Sequence, residues 1–223
     1  MTTLFVTASG TDVGKTFVTL RLIDELTAAG YRVRALKPVA SGFDSTNLGV
    51  SDTGAFLHAQ GLEATAANLD AVSPWRFAAP LSPDMAAARE QRAVPFAALV
   101  DFCRAPRDTD VTLIEGIGGV MVPLDDTHTV LDWVVALDAP ALLVVGSYLG
   151  TLSHSLTAAA ALRTGGARVA GVIVSESAEQ PVPAAETATI LARFLSPTSV
   201  QVLSRHAARD ATPLLPLLAP YLR

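Results

Sequence analysis

The chain has 223 residues, half of them hydrophobic, enough to bury the core of one α/β domain, and a single domain over residues 1–223 is expected. Its formal charge of -5, with acidic and basic residues interspersed, gives no electrostatic footprint for nucleic acid or an anionic membrane and leaves small molecules as the expected partners. One cysteine, Cys103, excludes a disulfide or a paired metal motif, and in the apolar helical stretch at 98–104 it reads as a buried inert thiol.

In chain order, the start runs directly into an apolar strand at 3–7 without a basic and apolar leader, so a cytoplasmic location is expected. A helix follows at 15–29, with Val18, Leu22 and Leu26 on one face, and then a second strand at 33–37. Ser51-Asp52 precede another helix. Residues 73–83, SPWRFAAPLSP, carry three prolines and read as an extended loop bordering a site. Strands at 111–115, 141–146 and 169–175 alternate with a helix at about 152–164, which implies a mostly parallel sheet with helices on both faces. The most apolar stretch, 139–150, is too short to cross a bilayer and reads as a buried strand. Pro213 and Pro216 break up the last helices without marking a new domain.

Between the first strand and its helix lies Ala8-Ser9-Gly10-Thr11-Asp12-Val13-Gly14-Lys15-Thr16. In that position Gly14 lets backbone approach phosphate oxygens, the first N–H groups of the helix face the anion, and Lys15 adds a point charge. The Thr16 hydroxyl suits Mg²⁺. The pattern departs from the usual phosphate loop in having Ser9 where a glycine is common, with Gly10 one position later. Lys37 ends the second strand before Pro38, and at the carboxyl edge of the sheet it is either a second cation near phosphate or a solvated strand-end lysine.

Taken together, ASGTDVGKT at 8–16, KPVASGF at 37–43, Ser51-Asp52 and LIEGIGG at 113–119 resemble the dethiobiotin synthetase family in residue type, order and spacing. The likeness continues through VVGSYLGTLSH at 144–154 and thins after Ser175. It implies a three-layer fold like that of P-loop NTPases and an ATP-dependent ring closure in biotin biosynthesis. There, 7,8-diaminononanoate, CO₂ and ATP give dethiobiotin through a carbamate and a carbamic-phosphoric anhydride.

The same resemblance implies roles for individual residues. Thr16, Asp52 and Glu115 would hold Mg²⁺, although Asp52 alone could be a helix N-cap and Glu115 alone a strand-end surface charge. Asp12, Val13, Gly14, Lys15, Thr16 and Phe17 would hold the triphosphate and Thr11 would face its γ-phosphate. The turn at Gly116, Ile117 and Gly118 would bring backbone close to the ligands. Lys15 and Lys37 would stabilise charge in phosphoryl transfer, and Ser41 would hydrogen-bond the substrate or carbamate. Gly150, Thr151, Leu152 and Ser153 start a helix suited to the substrate carboxylate, in the family contributed by a second subunit, which implies a homodimer.

The strand end that often carries an adenine-reading Asn here has Ser175 followed by Glu176, and the family's Gly and Pro motif is missing near 200–206, which leaves base preference open. His154 reads as structural or interfacial, and Trp75 and Trp133 as packing residues. The alternative function is a nucleotide-switch ATPase of the partition or septum-positioning type, whose members usually carry a lysine where this chain has Gly10. A cobyrinate-type amide synthase would need a glutaminase domain for which 223 residues leave no room.

Overall fold

The structure is a computed structural model that describes residues 2–106, 108–205 and 213–222. In chain order its elements are β1 (Thr2–Ala8), α1 (Lys15–Ala28), β2 (Val33–Leu36), β3 (Val39–Ser41), α2 (Asp52–Ala59), α3 (Ala66–Val72), β4 (Trp75–Phe77), α4 (Pro83–Arg89) and α5 (Phe96–Arg104). These are followed by β5 (Val111–Glu115), α6 (Val130–Leu137), β6 (Ala141–Val145), α7 (Thr151–Thr164), β7 (Val169–Ser175), α8 (Ala184–Leu195), β8 (Val200–Leu203) and α9 (Leu215–Leu218).

Six strands form one parallel sheet in the order β2-β5-β1-β6-β7-β8. Its two faces are built by alternation along each strand. Leu4, Val6, Leu142, Val144 and Ile173 pack with Val18, Leu22 and Leu26 of α1, while Phe5, Leu143, Val145, Val172 and Val174 pack with Trp133, Leu162 and Leu191 of α6, α7 and α8. A strand covered on both faces has no use for polar residues, hence the run Ala-Leu-Leu-Val-Val in β6, every residue of it buried. The fold expected from sequence is the one observed. No helix among the described residues is long and apolar enough to cross a membrane.

Two local expectations change. Residues 73–83 are not one loop, because β4 pairs in parallel with β3 and α4 begins at Pro83. Pro74 and Pro80 flank the three strand residues without interrupting them, so their N–H groups stay available: Trp75 N–H donates to the Pro38 carbonyl at 3.0 Å. The second strand ends at Leu36, and the Lys37 N–H turns to the Val72 carbonyl at 3.1 Å. The stretch near 200–206, read in sequence only for its missing Gly and Pro motif, supplies the edge strand β8 at 200–203, while His206 lies outside the described residues. Cys103 is buried as expected, and burial pushes its thiol up to about 12. Trp133 lies in the core edge-on to Phe5 with ring centroids 4.9 Å apart, and Trp75 packs edge-on to Phe102.

Candidate active site

The connection from β1 to α1 lies at the carboxyl edge of the central strand, beside the point where strand order reverses, which is where open α/β sheets form their ligand crevice. Asp12 (φ 56°) and Gly14 (φ 93°) are both left-handed, which bends the loop into a concavity of backbone N–H groups. Position 14 suits glycine, since its φ strains any L side chain and a Cβ there would also crowd the Ser175 Cβ at 3.1 Å. Lys15 is buried and its Nζ donates to the Gly10 carbonyl at 3.3 Å. Burial and then the Lys37 ammonium lower its pKa to about 8.

Strand register sets the charged centre. Leu36 of β2 lies opposite Ile114 of β5, so the next residue along each strand brings Lys37 beside Glu115. Both are buried, Glu115 completely. Lys37 Nζ donates to Glu115 Oε1 at 2.5 Å and to the Gly116 carbonyl at 3.2 Å, and it pairs with Asp52 Oδ2 at 2.9 Å. Burial pushes the Lys37 pKa down, but the Glu115 and Asp52 carboxylates outweigh it and the net shift is upward. Burial likewise pushes the Asp52 carboxyl up, and Lys37 outweighs it, holding the group below its usual range.

Asp52 is free to reach this centre because it is not the cap of α2. Ser51 is, its Oγ accepting from the Gly54 N–H at 3.0 Å. The Thr16 Oγ1 lies 2.9 Å from both Asp52 Oδ1 and Glu115 Oε1. One hydroxyl proton serves only one carboxylate at a time, so the second contact sets lone pair against lone pair. A hard cation would turn that contact into attraction, and three oxygens with room for water and phosphate match the few protein ligands that Mg²⁺ takes. Among the described residues no group of three or more His, Cys, Asp or Glu side chains gathers.

Above this centre opens a cleft of about 800 Å³. Ten sequence-predicted residues line it together: Thr11, Asp12, Gly14, Lys15, Thr16, Lys37, Ser41, Asp52, Ile117 and Gly118. Ser41 is carried there by the small β3–β4 sheet, opposite Phe77. Glu115 lies beneath, under its partners Thr16 and Lys37.

The other expected residues stand apart from the cleft lining. Val13 is buried in the core, Phe17 is 41% exposed, and Gly116 packs so closely on Phe5 that a Cβ would come within 2.9 Å of its ring. Ser175 sits behind Gly14, and the Glu176 carboxylate accepts from Gln180, the Ser204 hydroxyl and the Arg205 N–H. Gly150, Thr151, Leu152 and Ser153 open α7 away from this cleft, with Thr151 Oγ1 donating to the Gly146 carbonyl at 2.7 Å. His154 Nδ1 is 2.9 Å from the Tyr148 hydroxyl. Pro80, Leu81, Ser82 and Pro83 form one wall of the cleft, as expected of a stretch bordering a site. Sequence reasoning missed one feature, Thr19. Thr19 bonds Glu115 from inside α1, and its signal was its place one helical turn beyond Lys15 and Thr16.

A family model described as an AAA domain matches residues 2–211. The chain is 47% identical to the ATP-dependent dethiobiotin synthetase BioD of Acidiphilium cryptum (strain JF-5) over 89% of this chain and 90% of that one. It is 48% identical to the protein of that name from Methylobacterium nodulans (strain LMG 21967 / CNCM I-2342 / ORS 2060), over 86% and 89%, and 35% identical to ATP-dependent dethiobiotin synthetase BioD 1 of Escherichia coli (strain K12), over 86% and 85%. Among solved structures it is similar to the cell division protein FtsY of Thermotoga maritima, with a TM-score of 0.56, 16% identity, and coverage of 97% of this chain and 66% of that one. It is also similar to the septum site-determining protein MinD of Pyrococcus horikoshii, with a TM-score of 0.50, 16% identity, and coverage of 85% and 76%. At that identity the two structures speak for the fold alone.

Proposed function

Because this chain belongs to the ATP-dependent dethiobiotin synthetase family, we propose that it closes the cyclic urea of dethiobiotin from 7,8-diaminononanoate, CO₂ and ATP, as a ligase of biotin biosynthesis. The observation that carries the residue-level reading is the meeting of Lys37 with Glu115 and Asp52, at 2.5 and 2.9 Å, on the floor of a cleft that also holds Lys15 and Thr16 of the phosphate loop.

One amine of the substrate captures CO₂ as a carbamate, with loss of a proton. A carbamate oxygen attacks the γ-phosphorus, the bond to the bridging oxygen breaks, and ADP leaves. The second amine attacks the carbonyl carbon of the mixed anhydride, inorganic phosphate leaves, and the ring closes. Backbone N–H groups of the loop and first helical turn, from Asp12 through Val13, Gly14, Lys15 and Thr16 to Phe17, orient the triphosphate, and Thr11 faces the γ-phosphate. Lys15 and Lys37 offset the charge gathered on the transferring group. Ser41, on the opposite wall, hydrogen-bonds the carbamate, and Gly116, Ile117 and Gly118 let backbone approach it. Thr16, Asp52 and Glu115 would hold Mg²⁺, which when bound neutralises phosphate oxygens. Ser175 and Glu176 border the nucleotide from behind the loop.

The helix start at Gly150–Ser153 stands outside its own chain's cleft, and it would receive the substrate carboxylate in a homodimer where it faces the cleft of the partner. A cytoplasmic location accords with such soluble small-molecule chemistry. The test is phosphate release from MgATP with and without the diamine and bicarbonate. Release that depends on both, with dethiobiotin found by mass, is expected; release driven instead by lipid, DNA or a protein partner would favour the nucleotide-switch alternative.

A further inference from the structure

Thr19 lies in the interior of α1, fully buried, on the side that faces the end of β5. Its Oγ1 is 2.7 Å from Glu115 Oε2 and 3.0 Å from the Lys15 carbonyl. The hydroxyl has one proton, and the shorter contact to a full charge takes it. Among the described residues no other donor reaches Oε2, while Oε1 is met by both Lys37 and Thr16. The two oxygens of one carboxylate are therefore divided, one tied inward to a helix and one left toward the cleft. Packing alone gives no reason for a hydroxyl here, since a buried hydroxyl without a partner is costly and Ala is the better helix former.

We propose that Thr19 is a positioning residue for the reaction: it anchors Oε2 so that Oε1 is presented in one orientation to the cation and phosphate side of the site. The proposal rests on the reading of Glu115 as a cation ligand. A valine at 19 keeps the volume and removes the donor, leaving a buried carboxylate oxygen unpaired and free to turn. Partners that orient a ligand in this way are worth about 10- to 100-fold in metal affinity.

The experiment measures Mn²⁺ affinity of the full chain with saturating ADP, by the electron paramagnetic resonance of free Mn²⁺, in wild type, Thr19→Val, Thr19→Ser and Glu115→Gln. The expected result is Mn²⁺ binding weakened about 10- to 100-fold in Thr19→Val, restored in Thr19→Ser, and weakened at least as much in Glu115→Gln. Wild-type affinity in Thr19→Val with weak binding in Glu115→Gln would overturn the proposal and leave the cation reading standing. Wild-type affinity in Glu115→Gln would overturn both. A Thr19→Ser protein as weak as Thr19→Val would assign the position to packing and overturn the proposal. If Thr19→Val does not fold, Thr19→Cys, of similar size and weaker donor strength, is expected to fall between wild type and Glu115→Gln, and wild-type affinity there would count against the hydroxyl.

Discussion

Lys37 pairs a completely buried carboxylate with an ammonium that is itself buried, and removing one partner of such a pair strands the other. Lys37→Met is expected to lower stability by about 3 kcal/mol in the absence of divalent cation, with part of the loss recovered on adding Mg²⁺, which would take over the neutralisation of Glu115 and Asp52. Thermal melts with and without Mg²⁺ decide this. Lys37→Ala should also lower turnover by orders of magnitude while nucleotide binding stays near wild type. Equal turnover in the two proteins would remove Lys37 from the chemistry. Cys103 makes a separate residue-scale prediction: a thiol raised to about 12 and shielded by the core should resist alkylation at pH 8 in the folded chain and react promptly in denaturant.

Among elements, α6 has the best-defined start. Thr129 and Asp132 form a capping box, in which Asp132 accepts from the Thr129 N–H at 2.7 Å and the Thr129 side chain receives a backbone N–H. Thr129→Ala is expected to cost about 1 kcal/mol in urea unfolding. The Thr129 hydroxyl and then its backbone N–H hold the Asp132 carboxyl below its usual range. A depressed carboxyl contributes stability that is present above its unfolded value and lost as pH falls through the folded one. Asp132→Asn should therefore flatten the acid side of the stability curve below about pH 4 and leave pH 7 to 9 unchanged apart from a constant offset, as unfolding midpoints at each pH would show.

How much was legible in sequence also divides by element. The β1–α1 connection carries its chemistry in adjacent residues, so Asp12, Gly14, Lys15 and Thr16 could be read directly and now line one cleft. The apolar runs of β6 and β7, short and rich in β-branched residues, read as strands without a wet face. The β3–β4 sheet was hidden because three residues between prolines show no period, and its pairing partner is more than thirty positions away. Thr19 was hidden because its partner Glu115 is 96 positions distant, and its one local signal, a place one helical turn beyond Lys15 and Thr16, does not name that partner.

For the whole molecule, the exposed apolar side chains Leu149, 84% exposed, and Met121, 58%, lie at the end of the β6–α7 connection and beside the phosphate loop. A homodimer formed through that surface should elute as a dimer in sizing chromatography. Leu149→Glu should shift it toward monomer and reduce turnover, since the helix start proposed to receive the substrate carboxylate would be withdrawn from the partner's cleft. A monomeric wild type with full activity would refute the arrangement.

Strand order has a further consequence for how the chain is made. β1 and β2 do not pair with each other; each pairs with β5, and the other edge of β1 pairs with β6. While the ribosome has delivered only the first hundred residues, the phosphate loop therefore hangs from a strand with no neighbour on either side. Nascent chains ending short of residue 145 should fail to retain nucleotide, so ATP can reward folding only late in synthesis and cannot nucleate it.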